Sequence, residues 1–173
     1  MKSNDEECKN LAGFLAIAHL LSFSAITFSG KKKAKKNEKK ESPLKWKPSK
    51  IEARDSFIKH VKCDVEIKEA VEKRYETVKR REIPPQPFII IVGENLNNIK
   101  SFFVVPNQFV FYERSNIIQA VDTCYKIFWA LNAEYSIEAY PIWYFIQKGL
   151  YKMSSKWDKG STSVESLITD CNL

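Results

Sequence analysis

Twenty consecutive positions near the start of the chain, Leu11 to Gly30, carry no charged side chain. The run L-A-G-F-L-A-I-A-H-L-L-S-F-S-A-I-T-F-S-G has the length that a membrane-spanning helix needs. His19, Ser22, Ser24, Thr27 and Ser29 dilute it, although serine and threonine can return hydrogen bonds to their own helix backbone. The segment predicts an apolar helix over residues 11–30 acting as a single-pass anchor. A cleaved signal peptide fits less well, because Asp5, Glu6 and Glu7 precede the run where such a leader carries positive charge. The remaining readings are a helix buried against the folded domain and a poorly folded leader.

Past Pro43 and Pro48 the pattern changes to shorter amphipathic segments. Ile51, Ala53, Arg54, Phe57, Ile58 and Val61 read as one helix following Ser49. A second helix is predicted over Asp64–Arg81, with Val65, Ile67, Ala70, Val71, Tyr75 and Val78 on its apolar positions. Pro84, Pro85 and Pro87 stop it. Phe88 to Val92 is a β-branched run ending at Gly93 and reads as a buried strand. Ser101–Val105 and Phe109–Tyr112 flank Pro106-Asn107-Gln108, which is a hairpin signal. A largely apolar helix follows over Asn116–Leu131, capped by Ser115. Pro141 opens a last helix that runs to about Lys152.

These elements predict an α+β domain: a small three-stranded sheet or hairpin packed with about four helices, preceded by the N-terminal apolar helix and a disordered Lys-rich linker. An α-rich fold is the alternative. The chain then divides into a polar N-terminus (1–10), the apolar helix (11–30), the linker (31–50), the globular domain (51–153) and a flexible polar tail (154–173).

Charge sharpens the picture because it is so unevenly placed. Residues 31–50 hold ten lysines against Glu38 and Glu41, a local +8, while residues 51–173 balance to zero and the whole chain carries +7. Basicity is therefore a property of the linker and not of the domain, and any attraction to phosphate belongs there. By the positive-inside rule the lysine side of an anchor faces the cytosol, so the expected location is a membrane with the C-terminal domain cytosolic. The candidate contacts are electrostatic, to nucleic acid or to lipid headgroups: Lys31, Lys32, Lys33, Lys35, Lys36, Lys39 and Lys40. K-K-K-A-K-K (Lys31–Lys36) also fits a nuclear-localisation or nucleic-acid patch, which makes the nucleus the alternative location.

Catalytic signatures are lacking. The chain has no phosphate loop, no G-x-G-x-x-G, no H-E-x-x-H and no G-x-S-x-G. His60 and Cys63, three apart, could touch on a helix, but a Cys–His pair also needs a group to orient the base. Two histidines and four scattered cysteines give no metal-ligand spacing, and no cofactor is expected. Cys124 lies in an apolar run and reads as a buried thiol. Phe102, Phe103, Phe109, Phe111 and Tyr112 read mainly as core, since no arginine or lysine lies between Phe102 and Tyr112 to accompany base stacking.

Three blocks carry a resemblance: Q-P-F-I-I-I-V-G (Gln86–Gly93), A-V-D-T-C-Y-K-I-F-W-A-L-N-A-E-Y (Ala120–Tyr135) and W-Y-F-I-Q (Trp143–Gln147). They resemble an uncharacterised segment of animal proteins of mobile-element origin, over about residues 55–153. The resemblance implies no catalytic residue. The expected function is a non-enzymatic interaction module, tethered to a membrane by residues 11–30 and docking an unidentified protein partner. The alternative is a mobile-element-derived nuclear accessory protein that binds nucleic acid weakly through Lys31–Lys50.

Overall fold

Leu11, Phe14, Leu15, Ala18 and Leu21 recur every three or four residues, and that spacing decides where the N-terminal helix goes. In the computed structural model, which describes residues 2–23, 25–28 and 44–173, helix α1 spans Lys2–Leu20. Leu11, Ile17, Ala18, Leu21 and Phe23 are buried in the main core, and the Phe14 ring meets Phe57 edge-on at 6.3 Å. The Glu7 carboxylate accepts the Ile117 N–H at 2.7 Å, so α1 also satisfies one of the orphan donors at the start of a later helix.

The expected membrane anchor, and with it the single-pass membrane location, is thereby corrected. No helix among the described residues is long and apolar enough to cross a membrane. The uncharged run is split between two elements. Helix α1 ends at Leu20, and Ile26–Phe28 form strand β1. Only residues 11–20 are both uncharged and helical, a rise of about 15 Å against the ~30 Å of a bilayer's hydrocarbon core. The polar residues 2–10, expected outside any element, form the first half of the same helix.

Strand β1 pairs antiparallel with β2 (Leu44–Trp46), placing Ile26 opposite Trp46 and Phe28 opposite Leu44. The linker expected at 31–50 lies outside the described residues up to Pro43. From Leu44 onward it is β2 and the approach to helix α2 (Lys50–Phe57). Ser49 caps α2 through a reciprocal box: its hydroxyl accepts the Glu52 N–H, and its own N–H donates to the Glu52 carboxylate.

The main sheet has four strands and not three. Its order is β3 (Ile58–Val61), β4 (Phe88–Asn95), β5 (Asn98–Asn107) and β6 (Val110–Arg114). The missed strand is β3. Phe57, Ile58 and Val61 fit a helical period, yet Ile58 joins the core on one face of the sheet and Val61 the core on the other. Four residues are too few for alternation to show. Strand β3 runs parallel to β4, and helix α3 (Val65–Arg80) is the crossover between them.

Alternation along β4 then separates two layers. Phe88, Ile90 and Val92 pack with Val71 and the partly buried Ile67, Ala70 and Tyr75 of α3. Ile89 and Ile91 face the larger core, which holds α1, α2 and the C-terminal helices. A Cβ at Gly93 would lie 2.2 Å from the Asn98 carbonyl oxygen, so only glycine admits the close strand approach at the bulge there. The Asn107 side chain accepts the N–H groups of Phe109 and Val110, which closes the β5–β6 turn as the sequence suggested.

Helix α4 (Ile117–Ala130) buries Ile117, Ala120, Val121, Cys124, Tyr125 and Phe128. Its cap is Asn116, accepting the Gln119 N–H at 2.9 Å, and not Ser115. Helix α5 (Tyr140–Phe145) continues into a π-helical turn at Ile146–Leu150. The tail expected to be flexible from residue 154 contains helix α6 (Thr162–Asp170), whose Val164 is fully buried. Val164, Leu167 and Ile168 stand at i, i+3 and i+4 and pack on the core, but three apolar positions in nine residues make a stripe too short to stand out in a polar tail.

Candidate functional site

The seven lysines singled out by sequence, Lys31, Lys32, Lys33, Lys35, Lys36, Lys39 and Lys40, lie outside the described residues. The described residues do place the two ends of their segment. Residues 29–43 join β1 to β2, so the segment leaves and re-enters the fold at paired strands. That connection carries seven lysines and two glutamates.

The base of this hairpin is fastened by charge. The Arg81 guanidinium lies 4.0 Å from the Trp46 ring centroid and pairs with the Glu52 carboxylate. Arg81 Nη1 also sits 3.8 Å from Glu138 Oε1. Glu138 is 0% exposed and takes two parallel N–H bonds from Arg74, at 2.8 and 3.0 Å. One continuous network therefore links β2, α2, α3 and the segment before α5. Lys50 adds a tie by donating to the His19 carbonyl at the end of α1, where a cation meets the negative end of a helix dipole. Sequence reasoning missed this network. Its one signal was Glu138, a charge between Ile137 and Ala139 just ahead of an apolar helix.

A second polar assembly surrounds the π-helical turn. Tyr135 donates to Gln147 Oε1 at 2.8 Å, and Gln147 Nε2 donates to both Asp158 oxygens at 2.9 and 3.0 Å. Tyr151 stacks on Tyr125 with centroids 4.0 Å apart and donates to Asp122 at 2.6 Å. π-Helical turns often mark functional sites, but both polar atoms of Gln147 are satisfied from within the chain, as a structural amide requires.

The titrations show what these groups can do. Burial pushes the Tyr135 hydroxyl far up, and burial together with the Asp122 contact does the same for Tyr151. Burial alone raises the Cys124 thiol. At Glu52 burial pushes the carboxyl up, but the bonds from the Ser49 N–H and from Arg81 outweigh it and hold the group below its usual range. Burial likewise raises the Asp122 carboxyl, and Lys126 with Tyr151 more than offsets it. Each of these displacements is away from neutrality, the opposite of what acid–base catalysis calls for.

His60 and Cys63 are not a pair on one helix. His60 is on β3 with Nε2 2.8 Å from the Gly93 carbonyl oxygen, and Cys63 is an exposed thiol in the turn beyond. Among the described residues no group of three His, Cys, Asp or Glu side chains could hold a metal ion. The aromatics expected in the core divide: Phe102 is buried, whereas Phe109, Phe111 and Tyr112 are exposed. No protein-family model, curated protein or solved structure matches the chain, so the resemblance over residues 55–153 gains no support from such comparisons.

Proposed function

We propose that the chain is a non-enzymatic binding module that engages nucleic acid backbones through Lys31–Lys50. One observation carries this reading. A net charge of +5, from seven lysines and two glutamates, lies in a segment whose two ends are pinned together by the β1–β2 pairing, while residues 51–173 are electrically balanced. Such an arrangement offers phosphate attraction without base readout.

The test is fluorescence anisotropy with random-sequence duplex DNA over a salt series. If all seven lysines of residues 31–40 meet phosphates, the slope of log K against log salt approaches about −6. Replacing those seven with glutamine is expected to abolish binding and leave the circular dichroism unchanged. Binding that survives the replacement, or no binding at low salt, refutes the proposal. Capture by anionic lipid vesicles without any binding to nucleic acid refutes it too.

A further inference from the structure

The sheet has two edges, and the sequence treats them differently. At one edge β3 is only four residues long. Lys59 pairs there with Asp55 at 2.6 Å, and His60 reaches the Gly93 carbonyl. Short length and charge are devices that keep a sheet edge from recruiting another strand. At the other edge β6 runs Val110–Arg114, and among the described residues no strand pairs with its outer side. Its first three residues, Val110-Phe111-Tyr112, contain neither charge nor proline. Phe109, Phe111 and Tyr112 are 80%, 40% and 44% exposed. The Phe109 and Val110 N–H groups go to Asn107 and the Glu113 carbonyl accepts from Arg114, while the outer side of β6 has no strand partner among the described residues, and an added strand would cover that edge and these rings together.

The geometry points to a second copy of this chain as that occupant. The two copies pair β6 to β6, antiparallel across a two-fold axis, joining two four-stranded sheets into one. Opposed residues of an antiparallel pair share a face, so the axis must set one residue opposite itself. An axis at Glu113 or Arg114 opposes like charges, which is unfavourable. An axis at Tyr112 sets Val110 against the second copy's Arg114 and Phe111 against its Glu113. An axis at Phe111 sets Phe111 against itself and Val110 against Tyr112 twice. Those are the aromatic–aromatic and aromatic–β-branched pairs that stabilise sheets. It also leaves the two Glu113 carboxylates about 14 Å apart along the strands, beyond the ~8 Å screening length at physiological salt. Residues 51–173, which carry the paired edge, balance to zero, and the +7 of each full chain arises from residues outside the paired sheet.

The edge is about 17 Å long, and a strand pair of that length buries less than the roughly 1,000 Å² of a stable interface. A weak, exchanging dimer follows. Sedimentation equilibrium of the full chain without nucleic acid, over a wide concentration series, tests this. The mass is expected to rise from 20.1 kDa toward twice that value. Phe111→Lys places two ammonium groups face to face on the axis and is expected to weaken association at least about tenfold, with native circular dichroism. Phe109→Lys instead faces the second copy's Glu113 and is expected to tighten association a few-fold. Trp157→Lys, away from β6, is expected to change nothing. A chain that stays monomeric at every concentration overturns the inference and leaves the edge to some other extended segment. An unchanged dissociation constant in Phe111→Lys, or loss of association in Phe109→Lys, overturns it as well.

Discussion

Arg74→Leu removes the counter-charge from a carboxylate that has no contact with solvent. Glu138 is 0% exposed, and Arg74 supplies both of its short bonds while being 14% exposed itself. Removing one partner of a buried pair costs about 3–5 kcal/mol, because the other charge stays buried without compensation. Two features of this site act against the loss. Arg81 Nη1 remains 3.8 Å from the carboxylate, a gross attraction of about 4 kcal/mol at an effective dielectric of 20. Arg74 Nε is already a buried donor without a partner, so leucine also removes an orphan worth about 1 kcal/mol. The expected cost is therefore at the low end, about 3 kcal/mol, which lowers the melting temperature by about 6–12 °C in a domain of this size. Urea unfolding of Arg74→Leu, Glu138→Leu and the double variant forms a closed cycle. The double variant is expected to be well above the sum of the singles, since an apolar pair of similar volume replaces a buried ion pair at little cost. A single variant within 1 kcal/mol of the parent, or a strictly additive cycle, would refute this account of the network.

Gly93→Ala forces a Cβ to 2.2 Å from backbone and is expected to cost about 2–3 kcal/mol in thermal unfolding, whereas Gly13→Ala, with open space at that position, is expected to stabilise α1 by about 0.5–1 kcal/mol. Glu52 titrates below its ordinary 4.5 in the folded chain, so the stability it contributes is complete above pH 4.5 and drains as pH falls through the lower folded value. Glu52→Gln is accordingly expected to flatten the acid limb of a stability–pH profile, and an unchanged limb would contradict the assignment. Trp143→Ala is expected to cost about 3–5 kcal/mol in urea unfolding, because its buried ring packs against Phe57, Phe128 and Tyr135 together.

Elements whose signal was local were legible from sequence. Helix α3 announced itself by its period, α4 by a narrow polar stripe, and the β5–β6 turn by Pro106 and Asn107. What failed was every inference that needed direction or distance. Mean apolarity over Leu11–Gly30 records how greasy the segment is, not which way each side chain points. Leu11, Phe14, Ala18 and Leu21 form a stripe facing the core, whereas Ala12, Gly13, Ala16 and His19 face solvent. The Arg74–Glu138 bond spans 64 positions, and no periodicity connects residues so far apart. Strand β3 was lost because a helix ends at Phe57 and a strand begins at the next residue with no turn residue between them. The lysine cluster was legible as charge alone; that its ends are held together depends on the pairing of Phe28 with Leu44.

That pairing has an energetic consequence. Closing fifteen residues, 29–43, costs about 2 kcal/mol of chain entropy beyond a constant term, and repulsion among seven lysines adds to it. Three residue pairs of β1 and β2 give little in return, since an isolated two-stranded hairpin is marginal in water. The anchoring must therefore come from tertiary contacts, and the contact in evidence is Trp46 on Arg81, worth about 0.5–2 kcal/mol. Arg81 is in turn held by Glu52 and Glu138. The Arg81, Glu52 and Glu138 network beneath the hairpin is thus one tie that supports the β1–β2 pairing. On the proposed reading, phosphates that neutralise the lysines also relieve that repulsion. Strand pairing and nucleic acid binding then favour each other.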